Sequence, residues 1–226
     1  MASLSVSENQ FLNIGTSDAA EGDLRRAVVE GRIADVYDLL AMGTVCRGDP
    51  DNKWGPMHLA ALHGWPEIVK LLCDAGASLE SLSYRKNTPL CVAAWASTGT
   101  RLKFRDIAVP SSRQVEVARI LISNGANIEA ANYRLNRPLH IIAGNCDMDG
   151  SIAELLLEAG AERSPYNFDG NTPLHCAARC GNIKVARLLV QKGANLEVNF
   201  PGLLTLSCID RVLSHLPLLL FLGSIF

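Results

Sequence analysis

The stretch Thr172-Pro173-Leu174-His175-Cys176-Ala177-Ala178 decides the fold. Proline at the first turn of a helix loses no hydrogen bond, because that N–H has no partner inside the helix. A threonine just before it can cap the exposed N–H groups. Paired alanines let this helix lie close to its neighbours. Gly181 supplies a permissive backbone for a turn. Lys184–Val190 then places Val185, Ala186, Leu188 and Leu189 on one face of a second helix, and Gly193-Ala194 follows as a left-handed stop.

The same phrase recurs upstream. One copy runs from Gly55-Pro56-Met57-His58 to Gly76-Ala77, with Gly64 at its turn and Ile68, Val69, Leu71 and Leu72 on its second helix. Another runs from Thr88-Pro89-Leu90-Cys91 to Gly125-Ala126, and a third from Arg137-Pro138-Leu139-His140 to Gly160-Ala161. Gly160 and Gly193 are 33 residues apart. A weaker copy, Asp23-Leu24-Arg25-Arg26-Ala27 to Gly43, opens the series without the Thr-Pro-Leu-His start. Burying each large aliphatic side chain contributes roughly 1.5–3 kcal/mol. One such hairpin cannot cover its own apolar face, so the hairpins must stack.

These phrases resemble the ankyrin repeat, over roughly residues 22–200. The resemblance implies an all-α solenoid of stacked helix-turn-helix units with β-hairpin-like finger loops. The repeats fall at about 22–50, 51–82, 83–131, 132–166 and 167–199, within a domain spanning 21–200. Residues 1–20 are expected to be a disordered N-terminal segment, and 201–226 a degenerate, apolar C-terminal tail. The second helix of the third repeat is expected near Glu116, sixteen residues late, with an extended loop over about 99–113. That insertion carries Arg101, Lys103, Phe104 and Arg105, candidates for a binding loop.

Composition excludes several function classes. The 226 residues are 48% hydrophobic and 19% charged, with a formal net charge of −2. That is too apolar and too balanced for a disordered chain, and it gives no global attraction to nucleic acid. Seven cysteines at irregular spacing, with no secretory leader, are expected to be reduced thiols in a cytoplasmic protein. The apolar run after His215 is shorter than the about 20 residues that span a bilayer.

No arrangement for chemistry emerges. There is no G-x-S-x-G elbow, no H-E-x-x-H and no glycine-rich phosphate loop. His175, Cys176 and Cys180 form one His/Cys cluster, but zinc wants four ligands. His58, His140 and His175 occupy the ankyrin motif, where the resemblance implies an imidazole that braces the turn. Cys91 takes that position in the third repeat. Neither an enzyme nor a cofactor or metal is expected. Ankyrin domains can be hydroxylated at an asparagine for which this chain has Glu80, Glu129 and Glu197, so that modification is not expected either.

The resemblance implies a partner surface formed by the finger tips and the exposed positions of the first helices. Counting from the prolines places Lys53, Trp54, Tyr84, Arg85, Lys86, Tyr133 and Arg134 at or near the tips. His63, Trp95, Gly144-Asn145 and Arg179 fall at exposed first-helix positions, and Trp65 at an inter-helix turn. A groove of Trp54, Tyr84, Trp95 and Tyr133 flanked by basic residues suits an extended peptide carrying acidic residues and an apolar anchor. The expected function is a monomeric protein-protein interaction module, an adaptor or scaffold. The alternatives are a scaffold held to a membrane by its tail, and a substrate receptor of a ubiquitin ligase, for which no recruiting box follows the repeats.

Overall fold

A computed structural model describes residues 17–44, 54–96, 110–145 and 150–195. Ten helices follow in chain order: α1 Ser17–Glu30, α2 Ile33–Ala41, α3 Pro56–His63, α4 Pro66–Asp74, α5 Pro89–Ala96, α6 Ser111–Ser123, α7 Pro138–Ala143, α8 Ser151–Glu158, α9 Pro173–Cys180 and α10 Ile183–Gln191. They pair as five hairpins. The first helices stack α1 on α3, α3 on α5, α5 on α7 and α7 on α9; the second helices stack in the same order behind them. The array is therefore a two-layered all-α solenoid in which each hairpin touches its sequence neighbours.

The predicted signals act where expected. Proline stands at the start of α3, α7 and α9. Thr172 Oγ1 accepts the N–H of His175 at 3.4 Å, and Thr88 Oγ1 accepts that of Cys91 at 3.3 Å. Gly64 and Gly181 close α3 and α9 in the left-handed region, at φ 63° and 72°. The core is continuous along the array, from Leu24 and Val28 through Ile68, Leu72, Leu90, Leu121, Ile142 and Leu156 to Leu189. No described helix is long and apolar enough to cross a membrane.

Three expectations are corrected. The first helix begins at Ser17, inside the segment expected to be disordered, because Ala19 and Ala20 are strong helix formers. α6 begins at Ser111, not near Glu116, and its first turns have their own anchors. Gln114 is buried and donates Nε2–H to Leu62 O at 3.2 Å, while the Arg113 guanidinium lies 5.1 Å from the Trp65 ring centre. Asn145, expected to be exposed, is only 8% exposed, because Asn182 packs on it and donates Nδ2–H to its carbonyl. The rest of the insertion, with Arg101, Lys103, Phe104 and Arg105, lies outside the described residues, as do Lys53, residues 1–16 and the tail 201–226.

Candidate interaction groove

The three described fingers are built identically. Each is a three-residue loop whose flanking residues bond across it. Ser83 donates its N–H to Asn87 O at 3.0 Å, and Lys86 donates to Ser83 O at 2.8 Å. Asn132, Leu135 and Asn136 repeat the pattern, as do Asn167, Gly170 and Asn171. The last loop residue is left-handed in every case: Lys86 at φ 55°, Leu135 at φ 55° and Gly170 at φ 73°. This is the hairpin geometry in which a turn is followed by a residue with positive φ. The β-hairpin-like character expected of the fingers lies in these bonds; no strand is formed among the described residues.

Side chains fasten each finger to the next. Asn132 Oδ1 accepts the N–H of Arg134 at 2.9 Å and of Asn136 at 3.1 Å. Asn167 Oδ1 accepts those of Asp169 at 3.0 Å and Asn171 at 2.9 Å. Their amides then reach backwards: Asn132 donates to Asn87 Oδ1 at 3.1 Å, and Asn167 donates to Asn136 Oδ1 at 2.7 Å. Backbone bonds run alongside, from Tyr133 N–H to Arg85 O and from Phe168 N–H to Arg134 O. This asparagine ladder was missed in the sequence. Its signal is the recurrence Ser83-Tyr84-Arg85-Lys86-Asn87, Asn132-Tyr133-Arg134-Leu135-Asn136, Asn167-Phe168-Asp169-Gly170-Asn171.

The motif imidazoles brace the fingers from below. His58 Nδ1 accepts the N–H of Gly55 at 3.2 Å, and its other nitrogen faces Asn87 O at 3.0 Å. His140 Nδ1 accepts from Arg137 N–H at 3.3 Å, and Nε2 faces Pro165 O and Asn171 O, both at 3.1 Å. An N–H pointing at Nδ1 requires a lone pair there, so both rings are neutral with the proton on Nε2. Burial lowers the pKa of His58 and His140, and takes His175 down to about 4. In the third repeat Cys91 substitutes a shorter reach, with Sγ donating to Ala130 O at 3.6 Å.

Between fingers and first helices lies a groove of about 870 Å³. Its walls include Trp54, Tyr84, Arg85, Trp95, Tyr133, Arg134 and Arg179, seven of the eleven residues singled out in the sequence. Val92, Ile141, Gly144 and Cys176 also line it. Tyr84, Tyr133 and Phe168 stand at equivalent positions on consecutive fingers and are 79%, 53% and 75% exposed. Trp54 is half-buried, its ring centre 6.0 Å from that of His58.

Other expected contacts lie elsewhere. Trp65 is wedged at the α3–α4 turn, under Arg113 and against Gly31, away from the groove lining. His63 is half-buried outside the lining, and Lys86 sits at the strained tip position. Nor are all the tips basic in effect. Arg134 donates Nη2–H to both carboxylate oxygens of Asp169, at 3.1 and 2.9 Å, which largely neutralises it. Among the described residues Arg85 and Arg179 have no such carboxylate.

Burial pushes the Cys176 thiol up to about 11 and raises that of Cys91, so both are held protonated. Cys180 donates its S–H to Gly144 O at 2.9 Å. Among the described residues no group of three His, Cys, Asp or Glu side chains is placed to hold a metal ion. Glu80 and Glu129, at the hydroxylation position, instead accept the backbone N–H of Asn127 and Glu162, each at 2.7 Å, and so join successive repeats.

Stacked helical hairpins with hydrogen-bonded fingers over an aromatic groove define a repeat protein of the interaction class. The chain belongs to the ankyrin-repeat family: the family model described as ankyrin repeats (3 copies) matches residues 24–104 and 106–199. It is similar to an ankyrin repeat and KH domain-containing protein of Caenorhabditis briggsae, 28% identical over 203 residues, 85% of this chain and 6% of that protein. It is also similar to the B-cell lymphoma 3 protein homolog of Mus musculus, 29% identical over 201 residues, 77% of this chain and 45% of that protein. The chain thus spans a small part of the nematode relative and under half of the mouse one. Ankyrin repeats generally mediate protein-protein interaction, and the family is typically non-catalytic.

Proposed function

We propose that this chain is a cytoplasmic adaptor or scaffold module that binds an extended segment of a partner protein along the groove. The observation that carries this reading is the row of exposed aromatics, Tyr84, Trp95 and Tyr133, beside Arg85 and Arg179, which have no carboxylate partner among the described residues. Large aromatic side chains provide interface energy at little conformational cost, and tryptophan, tyrosine and arginine dominate binding hot spots. Arg85 and Arg179 favour acidic residues on the partner.

The test places a photo-crosslinking amino acid at Tyr133, in the groove, or at Arg119, on the exposed face of α6. In cells the Tyr133 probe is expected to capture a discrete partner that Arg85→Glu abolishes, and the Arg119 probe is not. Capture from Arg119 alone would overturn the reading.

A further inference from the structure

Gly144 is a glycine without a backbone reason. Counted from the start of each first helix, it occupies the position of Leu62, Trp95 and Arg179 in the neighbouring repeats. Gly64 and Gly181, which end α3 and α9, have positive φ; Gly144, which ends α7, has φ −73° and ψ 10°, open to any residue. Glycine there loses more chain entropy on folding than alanine would, with no positive φ to require it. A Cβ would meet two backbone carbonyls of its own helix, His140 O at a tight 3.3 Å and Ile141 O at 3.7 Å, and Cys176 Cβ at an ordinary 3.9 Å. What the missing side chain does produce is a notch in the groove floor. Trp95 and Arg179 rise on either side, from the repeats before and after it, and Ile141 and Cys176 line the groove beside it.

We propose that this notch is the anchor subsite of the groove. It takes one apolar side chain of the extended partner segment, packed against Trp95, with a carboxylate of the same segment on Arg179. The proposal rests on the groove reading above and adds the position and chemistry of the anchor. Charge complementarity selects the occupant. Among the described residues Asp169 is the one carboxylate of the groove lining, and it is tied to Arg134, so Arg179 is the described charge left beside the notch. Adjacent helices pack about 8–10 Å apart. An extended chain rises about 3.3 Å per residue. An apolar residue at Gly144 therefore places the carboxylate for Arg179 roughly three residues away.

The test is selection of a random dodecapeptide phage library on the folded protein, followed by fluorescence-polarisation titration of a selected synthetic peptide. The expected peptides carry an apolar residue with Asp or Glu about three positions from it. Gly144→Leu, which fills the notch, is expected to weaken such a peptide tenfold or more, and replacing its apolar residue by serine to do the same. Arg179→Glu is expected to abolish the preference for Asp or Glu while keeping that for the apolar residue. Trp95→Ala, at a 42% exposed site that leaves the core intact, must weaken binding through the same peptide residue and so guards against misfolding of the leucine variant. Selected peptides that bind Gly144→Leu as well as wild type, yet lose binding with Arg85→Glu, would overturn the anchor and leave the groove standing. Peptides indifferent to all four substitutions would overturn both.

Discussion

Asn167 donates its side-chain amide to Asn136 Oδ1 at 2.7 Å, while its own Oδ1 accepts two backbone N–H groups of its finger. One side chain thus shapes one finger and fastens it to the one before. Asn167 is buried, and removing it takes the partner from two part-buried N–H groups, those of Asp169 and Asn171, and from Asn136 Oδ1. An unsatisfied buried group costs about 1–3 kcal/mol. Asn167→Ala is expected to lower stability by about 2–3 kcal/mol in urea unfolding. A loss under about 0.5 kcal/mol would show that the ladder is incidental.

Lys86 and Leu135 adopt φ 55°, where a Cβ is strained, while the third finger has Gly170 in this place. The left-handed conformation costs an ordinary residue roughly 1–2 kcal/mol, and glycine gives back part of that relief as chain entropy. Lys86→Gly and Leu135→Gly are each expected to raise stability by about 0.5–1 kcal/mol. The shift in urea midpoint checks this; a lower midpoint for both would contradict it.

Acid should destabilise the array through its histidines. His58, His140 and His175 have folded pKa values below the ordinary 6.5, His175 at about 4. The unfolded chain therefore binds more protons below that value, and stability rises with pH there. Their contribution is complete above about 6.5. It is lost as the pH falls through the folded values. Protonated Nδ1 would also face the N–H of Gly55 or Arg137, donor against donor. The melting temperature is expected to be flat from pH 7 to 8 and to fall from pH 6.5 to 4.5, with a shallower fall in His140→Gln. An identical fall in that variant would remove His140 from the account.

The Arg134–Asp169 pair is half exposed, so its worth is electrostatic tuning more than stability. Exposed pairs contribute about 0–1 kcal/mol. Asp169→Asn is expected to leave the melting temperature nearly unchanged and to tighten binding of an acidic peptide several-fold, an effect that 0.5 M salt removes. Weaker binding at low salt would contradict this.

The stacked hairpins were legible because their signals are local. Proline, threonine, histidine and glycine each act within a few residues of where they stand. Trp95, Tyr84 and Arg179 were legible as groove residues through the register counted from the prolines. What stayed hidden depends on neighbouring repeats. Arg134 reads as a free cation until Asp169, on the next finger, is seen beside it. Asn145 reads as exposed until Asn182 covers it. The early start of α6 rests on Trp65 and Leu62, two helices away. Gly144 reads as an ordinary turn glycine, and only its negative φ shows that the turn does not need it.

The partner is expected on the fingers and first helices, and the three tryptophans report on that directly. Trp54 and Trp95 line the groove; Trp65 lies under Arg113 at the α3–α4 turn. In a protein labelled with ¹⁵N-tryptophan, an acidic dodecapeptide selected on the wild type is titrated while the three indole N–H signals are followed. The Trp54 and Trp95 signals are expected to move with a common dissociation constant while that of Trp65 stays in place. Movement of Trp65 alone, with the other two unchanged, would contradict it.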